Sequence, residues 1–124
     1  MSVTQSDVLD MAEVLVQRPD AGTAGVWPRA AALLTRQALE AALDDIWART
    51  APGVADASAR AQLLCLPEYL GDRALAGEVS VAWAALSRAC HHQAYSLPPT
   101  AVELGQWIAV VRRFVGTAGK QSSL

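Results

Sequence analysis

The sequence predicts an all-α protein, a compact bundle of four to five helices, on three observations. Hydrophobic residues fill 52% of the 124 positions and charged residues only 18%, too apolar a mixture for a disordered chain. The apolar excess is mostly alanine and leucine, which form helix readily. Apolar residues also recur at spacings of three and four along most of the chain, between short glycine- and proline-bearing segments that punctuate helices. A chain of this length suits one domain that buries roughly two thirds of the surface its unfolded form exposes. One helical domain over residues 1–124 is therefore expected, with its core at about 6–115 and a flexible tail at 116–124.

The first helix is read from about Ser6 to Gln17, where Val8, Met11, Ala12, Leu15 and Val16 share a face and Thr4 or Ser6 supplies the cap. Arg18-Pro19-Asp20-Ala21-Gly22 ends it. Pro28, a favoured first-turn residue, opens a second helix that runs to about Arg49 before Ala51-Pro52-Gly53. Leu34, Ala38, Leu39, Ala41, Ala42, Leu43 and Ile46 give it a broad apolar arc, opposite Arg29, Arg36, Gln37, Glu40 and Asp44. A third, shorter helix starts at Asp56 or Ser58 and passes through Leu63, Leu64 and Cys65. Leu66-Pro67 interrupts it, because proline disfavours helix at the residue before it, and a brief turn follows around Glu68 to Leu70.

Asp72 caps a fourth helix from about Arg73 to His92, in which Gly77 costs about 1 kcal/mol against alanine. Thr100-Ala101-Val102-Glu103 is a capping box for a last helix that reaches about Val115. Leu104, Trp107, Ile108, Val111 and Phe114 or Val115 mark its buried face. No internal repeat is found.

A formal charge of -2 provides no general attraction for polyanions, so contact with nucleic acid requires a local arginine cluster. Nine of the ten basic residues are arginine, which suits planar recognition of phosphate or carboxylate and equally reflects compositional bias. Cys65 and Cys90 lack metal-ligand spacing and read as reduced core thiols rather than a disulfide or zinc site. No motif calls for a metal or cofactor. The N-terminal residues lack a charged start followed by an apolar run, and no stretch approaches roughly 18 uninterrupted apolar residues. A cytoplasmic protein with no membrane segment is expected.

Chemistry concentrates in Arg88-Ala89-Cys90-His91-His92, at the end of the fourth helix and before the break at Tyr95-Ser96-Leu97-Pro98-Pro99-Thr100. It joins a permanent cation to the only two histidines, and imidazole titrates near neutrality. Leu75, Val79, Ala82, Trp83, Leu86 and Cys90 form that helix's core stripe, and Arg88 and His92 lie four apart on the opposite side with Val81, Ala84 and Ala85. This second, small-residue face invites a partner helix. A guanidinium can hold phosphate while imidazole moves a proton, an arrangement suited to metal-free RNA cleavage through a neighbouring 2'-hydroxyl. The competing role is helix capping, since basic residues near a helix C-terminus favour its dipole and free carbonyls.

Asp45 is read at the middle of the second helix's apolar arc, where a carboxylate needs a partner. Arg88 is the expected one, either in a buried structural ion pair or in an arrangement that orients the arginine. Among the tryptophans, Trp83 and Trp107 follow core periodicity, and Trp47 falls at the edge of the polar face as the exposed candidate. Tyr95 is placed to stack on a ligand, to hydrogen-bond one, or to anchor the turn before Pro98.

Thr35-Arg36-Gln37-Ala38-Leu39-Glu40-Ala41-Ala42-Leu43, together with the helix end from Arg88 to His92, resembles the HEPN superfamily of small helical bundles. The order of elements is similar over about Val8 to Val115. The resemblance implies a dimeric four- or five-helix bundle, with many members cleaving RNA without metal and others serving as non-catalytic binding or scaffold proteins. Catalytic members carry an arginine, four to six intervening residues and a histidine at the dimer interface. Here two residues separate Arg88 from His91 and three separate it from His92. Ala89-Cys90-His91-His92-Gln93-Ala94-Tyr95 looks more like the paired-histidine ending of members without a proven nuclease motif.

Two functions are therefore expected. The first is a homodimer that binds RNA or nucleotide, extending to a metal-independent endoribonuclease of toxin or defence type. Arg88, His92 and His91 would be catalytic, Asp45 and Tyr95 supporting, and single-stranded RNA and a cognate antitoxin the partners. The second is a non-catalytic protein–protein interaction module or scaffold.

Overall fold

Reciprocal hydrogen bonds at Thr4 start the first helix: its Oγ1 accepts from the Asp7 amide at 3.1 Å, and Asp7 Oδ2 accepts from the Thr4 amide at 3.0 Å. They satisfy two amides that a helix start otherwise leaves free. Helix α1 then spans Gln5–Gln17. The computed structural model describes residues 3–18, 26–91 and 97–120. Within them follow α2 (Trp27–Thr50), a 3-10 turn (Pro52–Asp56), α3 (Ala59–Leu70), α4 (Arg73–Cys90) and α5 (Ala101–Lys120). The architecture is all-α, with no strand among the described residues.

The longest helix, α2, is the hub, packing against α1, α4, α5 and the 3-10 turn, while α3 packs on α4. Its buried stripe runs through Ala31, Thr35, Leu39, Ala42 and Ile46, and its alanines let neighbouring axes approach closely. Thr35, the polar member, returns its hydroxyl to the Ala31 carbonyl at 2.7 Å, so its burial leaves no unpaired donor. Leu9 from α1, Leu66 and Leu70 from α3, Val79 and Leu86 from α4, and Ile108, Val111 and Phe114 from α5 complete the core.

Helix α3 continues through Pro67 instead of breaking at Leu66. Proline removes one helical hydrogen bond and costs about 3 kcal/mol in a helix interior. Leu66 and Leu70 are both fully buried, and burying two leucines contributes roughly 3–6 kcal/mol, enough to hold the last turn. Gly71, at φ 75°, then ends it in the left-handed conformation glycine accepts without strain.

Helix α5 also outruns its expected end near Val115, so residues 116–120 are helical rather than a flexible tail. Ala118 is buried, and its carbonyl accepts from Arg49 Nη2 of α2 at 3.0 Å. On the opposite side Arg112 straps α5 to α1, with Nη2 2.7 Å from Asp10 Oδ1 and Nε 3.0 Å from Glu13 Oε1. Hydrogen bonding to Glu13 leads the causes that raise the Arg112 pKa, with Asp10 adding to it. Among the described residues no helix is long and apolar enough to cross a membrane.

Candidate binding groove between α4 and α5

The two capped starts fix where α4 and α5 meet. Asp72 Oδ1 accepts from the Leu75 amide at 2.9 Å, and the Thr100–Glu103 capping box forms as its spacing predicts, with reciprocal bonds of 3.1 and 3.0 Å. Between the helices Leu75, Val79, Ala82 and Leu86 turn inward from α4, and Leu104, Ile108 and Val111 turn inward from α5. The outer margin of this seam is open. One hollow of about 440 Å³ lies at the end holding Ala85, Arg88, Ala89, Thr100 and Glu103, with Leu97, Pro98 and Pro99 along it. A second, of about 520 Å³, is lined by Gly77, Val81, Gln106 and Val110. Trp107 lines both, so the two hollows adjoin at its side chain and are together termed the α4–α5 groove.

This groove mixes small apolar walls with few charges. Val81 is 69% exposed and Leu97 93% exposed, whereas Trp107 and Val110 are half-buried. At the far end Glu78 is already paired with Arg113. Arg88 is exposed, and among the described residues its guanidinium makes no hydrogen bond or ion pair. Glu103 brings a carboxylate to the same hollow, but one of its oxygens accepts from the Thr100 amide. Among the described residues the groove therefore offers one unpaired guanidinium, beside the Glu103 carboxylate, rather than a basic field.

Of the expected site residues, Arg88, His91 and Asp45 are described, and only Arg88 lines the groove. His91 is exposed and ends α4 with an extended backbone, its main-chain N–H donating to the Arg88 carbonyl at 3.2 Å. The cap is thus made by the His91 amide, and His91 does not line the groove. His92 and Tyr95 lie outside the described residues. Asp45 is exposed and accepts from Gln5 Nε2 of α1 at 2.7 Å, so neither its expected burial nor its pairing with Arg88 occurs. The centre of α2's buried stripe passes through Thr35, Ala42 and Ile46, leaving Leu34, Ala41 and Asp45 at or beyond its edge. An alanine-rich arc this broad does not fix its own midpoint.

The tryptophans sort differently from their periodicity. Trp47, expected at the surface, is fully buried. Its Nε1 donates to Gln62 Oε1 at 3.0 Å, and Tyr69 meets its ring edge-on at 5.3 Å. Gln62 in turn donates to the Ala55 and Ala57 carbonyls, tying α2, the 3-10 turn and α3 together. Trp83 is only partly buried, and the Arg36 guanidinium lies 5.9 Å from its ring centre while ion-paired to Glu40. Hydrogen bonding to Glu40 is the main cause that raises the Arg36 pKa. Arg36 is therefore engaged within the fold, unlike Arg88.

Sequence reasoning missed Trp107 as a groove residue, because three- and four-residue spacing places it with the core. Size was no signal, since Trp47, on a stripe of equally small side chains, is fully buried. Both cysteines are free and partly buried. No group of metal-ligating side chains occurs among the described residues. Against protein-family models, curated proteins and solved structures, the chain finds no match.

Proposed function

We propose that the chain is a protein-interaction module that docks another protein along the groove between α4 and α5. The observation that carries this reading is the pair of hollows that adjoin at Trp107, bordered by the exposed apolar side chains of Val81 and Leu97. Apolar surface left open at a seam between helices favours burial under a partner. The charge balance points the same way. A polynucleotide presents a series of phosphates, and binding it draws on several cations, whereas Arg88 shares its hollow with Glu103.

A second reading rests on Arg88 itself, exposed and without a side-chain partner among the described residues, in a hollow large enough for a nucleotide-sized group. In that reading the protein is a HEPN-like dimer that holds RNA phosphate at Arg88, with His92 or His91 moving the proton.

Two assays separate these readings. Val81→Glu should abolish co-purification of the partner from native cells while leaving the unfolding midpoint unchanged. Single-stranded RNA should stay intact with the purified wild-type protein between about pH 5 and 8, the range in which imidazole changes charge. Cleavage that disappears in Arg88→Ala and His92→Ala would replace the docking conclusion with the ribonuclease one.

A further inference from the structure

We infer that the hollow between α3 and α4 is a second binding site, for a small amphiphilic anion: an apolar body lying against Trp83 and Leu64 and bearing one acidic group that meets Arg60. The site shares no lining residue with the α4–α5 groove and stands independently of the docking reading.

The hollow follows from how α3 is set on α4. Leu63, Leu66 and Leu70 turn into the core, and their spacing of three and four leaves Leu64 off the buried stripe, 75% exposed. Beside them a space of about 340 Å³ opens, lined by Arg60, Leu63, Leu64, Ser80, Trp83 and Ala84. Its volume falls within the roughly 300–1,000 Å³ that holds small ligands. Ser80 and Ala84, four apart on one face of α4, are too small to fill it. Trp83 is only partly buried, and its Nε1 is buried without a hydrogen-bond partner among the described residues. The part of its side chain open to solvent is therefore hydrocarbon. From α2 the Arg36 guanidinium lies 5.9 Å from the ring centre, itself held by Glu40 at 2.6 Å, so the wall is set before a ligand arrives. Removing Leu64 and the open part of Trp83 from water favours an apolar body in this space.

Charge selects the anion. Among the described residues that line the hollow, Arg60 is the only charged one. It is exposed, and among the described residues its guanidinium makes no hydrogen bond or ion pair. Glu40 and Asp44 line a separate, smaller hollow with Arg36. Arg60 is also the second residue of α3, where the helix dipole adds positive potential. The α4–α5 groove lacks this imbalance, since Arg88 shares its hollow with Glu103 and Glu78 is paired with Arg113.

The test pairs two fluorescent probes, anilinonaphthalene sulfonate and phenylnaphthylamine, which share their rings and differ in the sulfonate. Each is titrated into the full-length protein while the tryptophan indole N–H resonances are followed by NMR. The expected result is saturable binding with Trp83 shifting and Trp107 unmoved, and the sulfonate probe bound roughly threefold or more tighter at low salt. Arg60→Gln should abolish that preference and leave the affinity of the neutral probe unchanged, whereas Leu64→Ser should weaken both. Both side chains are exposed, so neither substitution touches the core. No saturable binding, a shift at Trp107 instead of Trp83, equal affinity for the two probes, or a preference that survives Arg60→Gln would overturn the inference.

Discussion

Helix α5 has two flanks built from the same kinds of residue, and they end in different states. Toward α1 and α2, Ile108, Val111, Phe114 and Ala118 are buried, Arg112 is held by two carboxylates, and Arg49 reaches across to the last turn. Toward the outer edge of α4, Trp107 and Val110 are only half covered, and Val81 across the seam stands in solvent. The tryptophans repeat the contrast: Trp47 is sealed and its indole N–H satisfied, while Trp107 forms the wall of an open groove. The difference teaches that the apolar excess of this chain exceeds what its own core absorbs. Part of the remainder lies along this seam, at Val81 and Leu97, and part stands elsewhere, at Met11, Val14, Leu64 and Val102 among others.

The sharpest break of that comparison is on the sealed side. Trp47→Ala should destabilise the protein by about 3–5 kcal/mol, the usual range for removing a buried tryptophan, measured by urea unfolding. Trp107→Ala should cost clearly less, since its side chain is only half-buried. Equal losses would mean that the groove side is as much a part of the core as the α2 side. Gln62→Ala should cost about 1–3 kcal/mol, because it strips the acceptor from a buried indole N–H; the same titration reads it.

On the open side the expected signs change. Gly77→Ala should stabilise the fold by up to about 1 kcal/mol, as a helix-interior glycine with free space at its Cβ, and should weaken docking by narrowing the seat. A thermal melt paired with a binding titration checks both halves. Arg88→Ala should leave stability within about 0.5 kcal/mol, the range for surface residues without partners.

The smallest effect concerns pH. The Asp7 carboxyl is held below its ordinary value of 3.8, first by the Thr4 amide and then by the Thr4 hydroxyl. A depressed carboxylate contributes stability that is complete above its unfolded value and is lost as pH falls through the folded one. The protection of the Thr4 and Asp7 amides, taken relative to their intrinsic exchange rates, should therefore fall below about pH 4, and Asp7→Asn should remove that dependence.

Much of the fold was legible because it depends on local signals. The Thr4 cap, Pro28 in the first turn of α2, the Asp72 cap and the Thr100–Glu103 box all stand where the sequence places helix starts. What failed was decided between helices. Pro67 stays helical because Leu66 and Leu70 are anchored from outside α3, and residues 116–120 stay helical because Ala118 packs under Arg49. The wheel of α2 identified an apolar arc but not its centre, and so misplaced Asp45 and Trp47 together. At the candidate site, spacing put Val81, Ala85 and Arg88 on one face of α4, and these line the groove, whereas Ala84 of the same expected face lies in another hollow beside Leu64. The groove itself was not legible, because it depends on which α5 residues stand opposite α4.

The most direct measurement is site-specific photo-crosslinking in native cells, with the reactive group placed at position 81 in the groove or at position 33 on α2, where Leu33 is also exposed. The expected result is a discrete adduct with a second protein from position 81 that is absent from position 33 and greatly reduced by Arg88→Glu. The contradicting result is no adduct from position 81, or the same adducts from both positions regardless of Arg88.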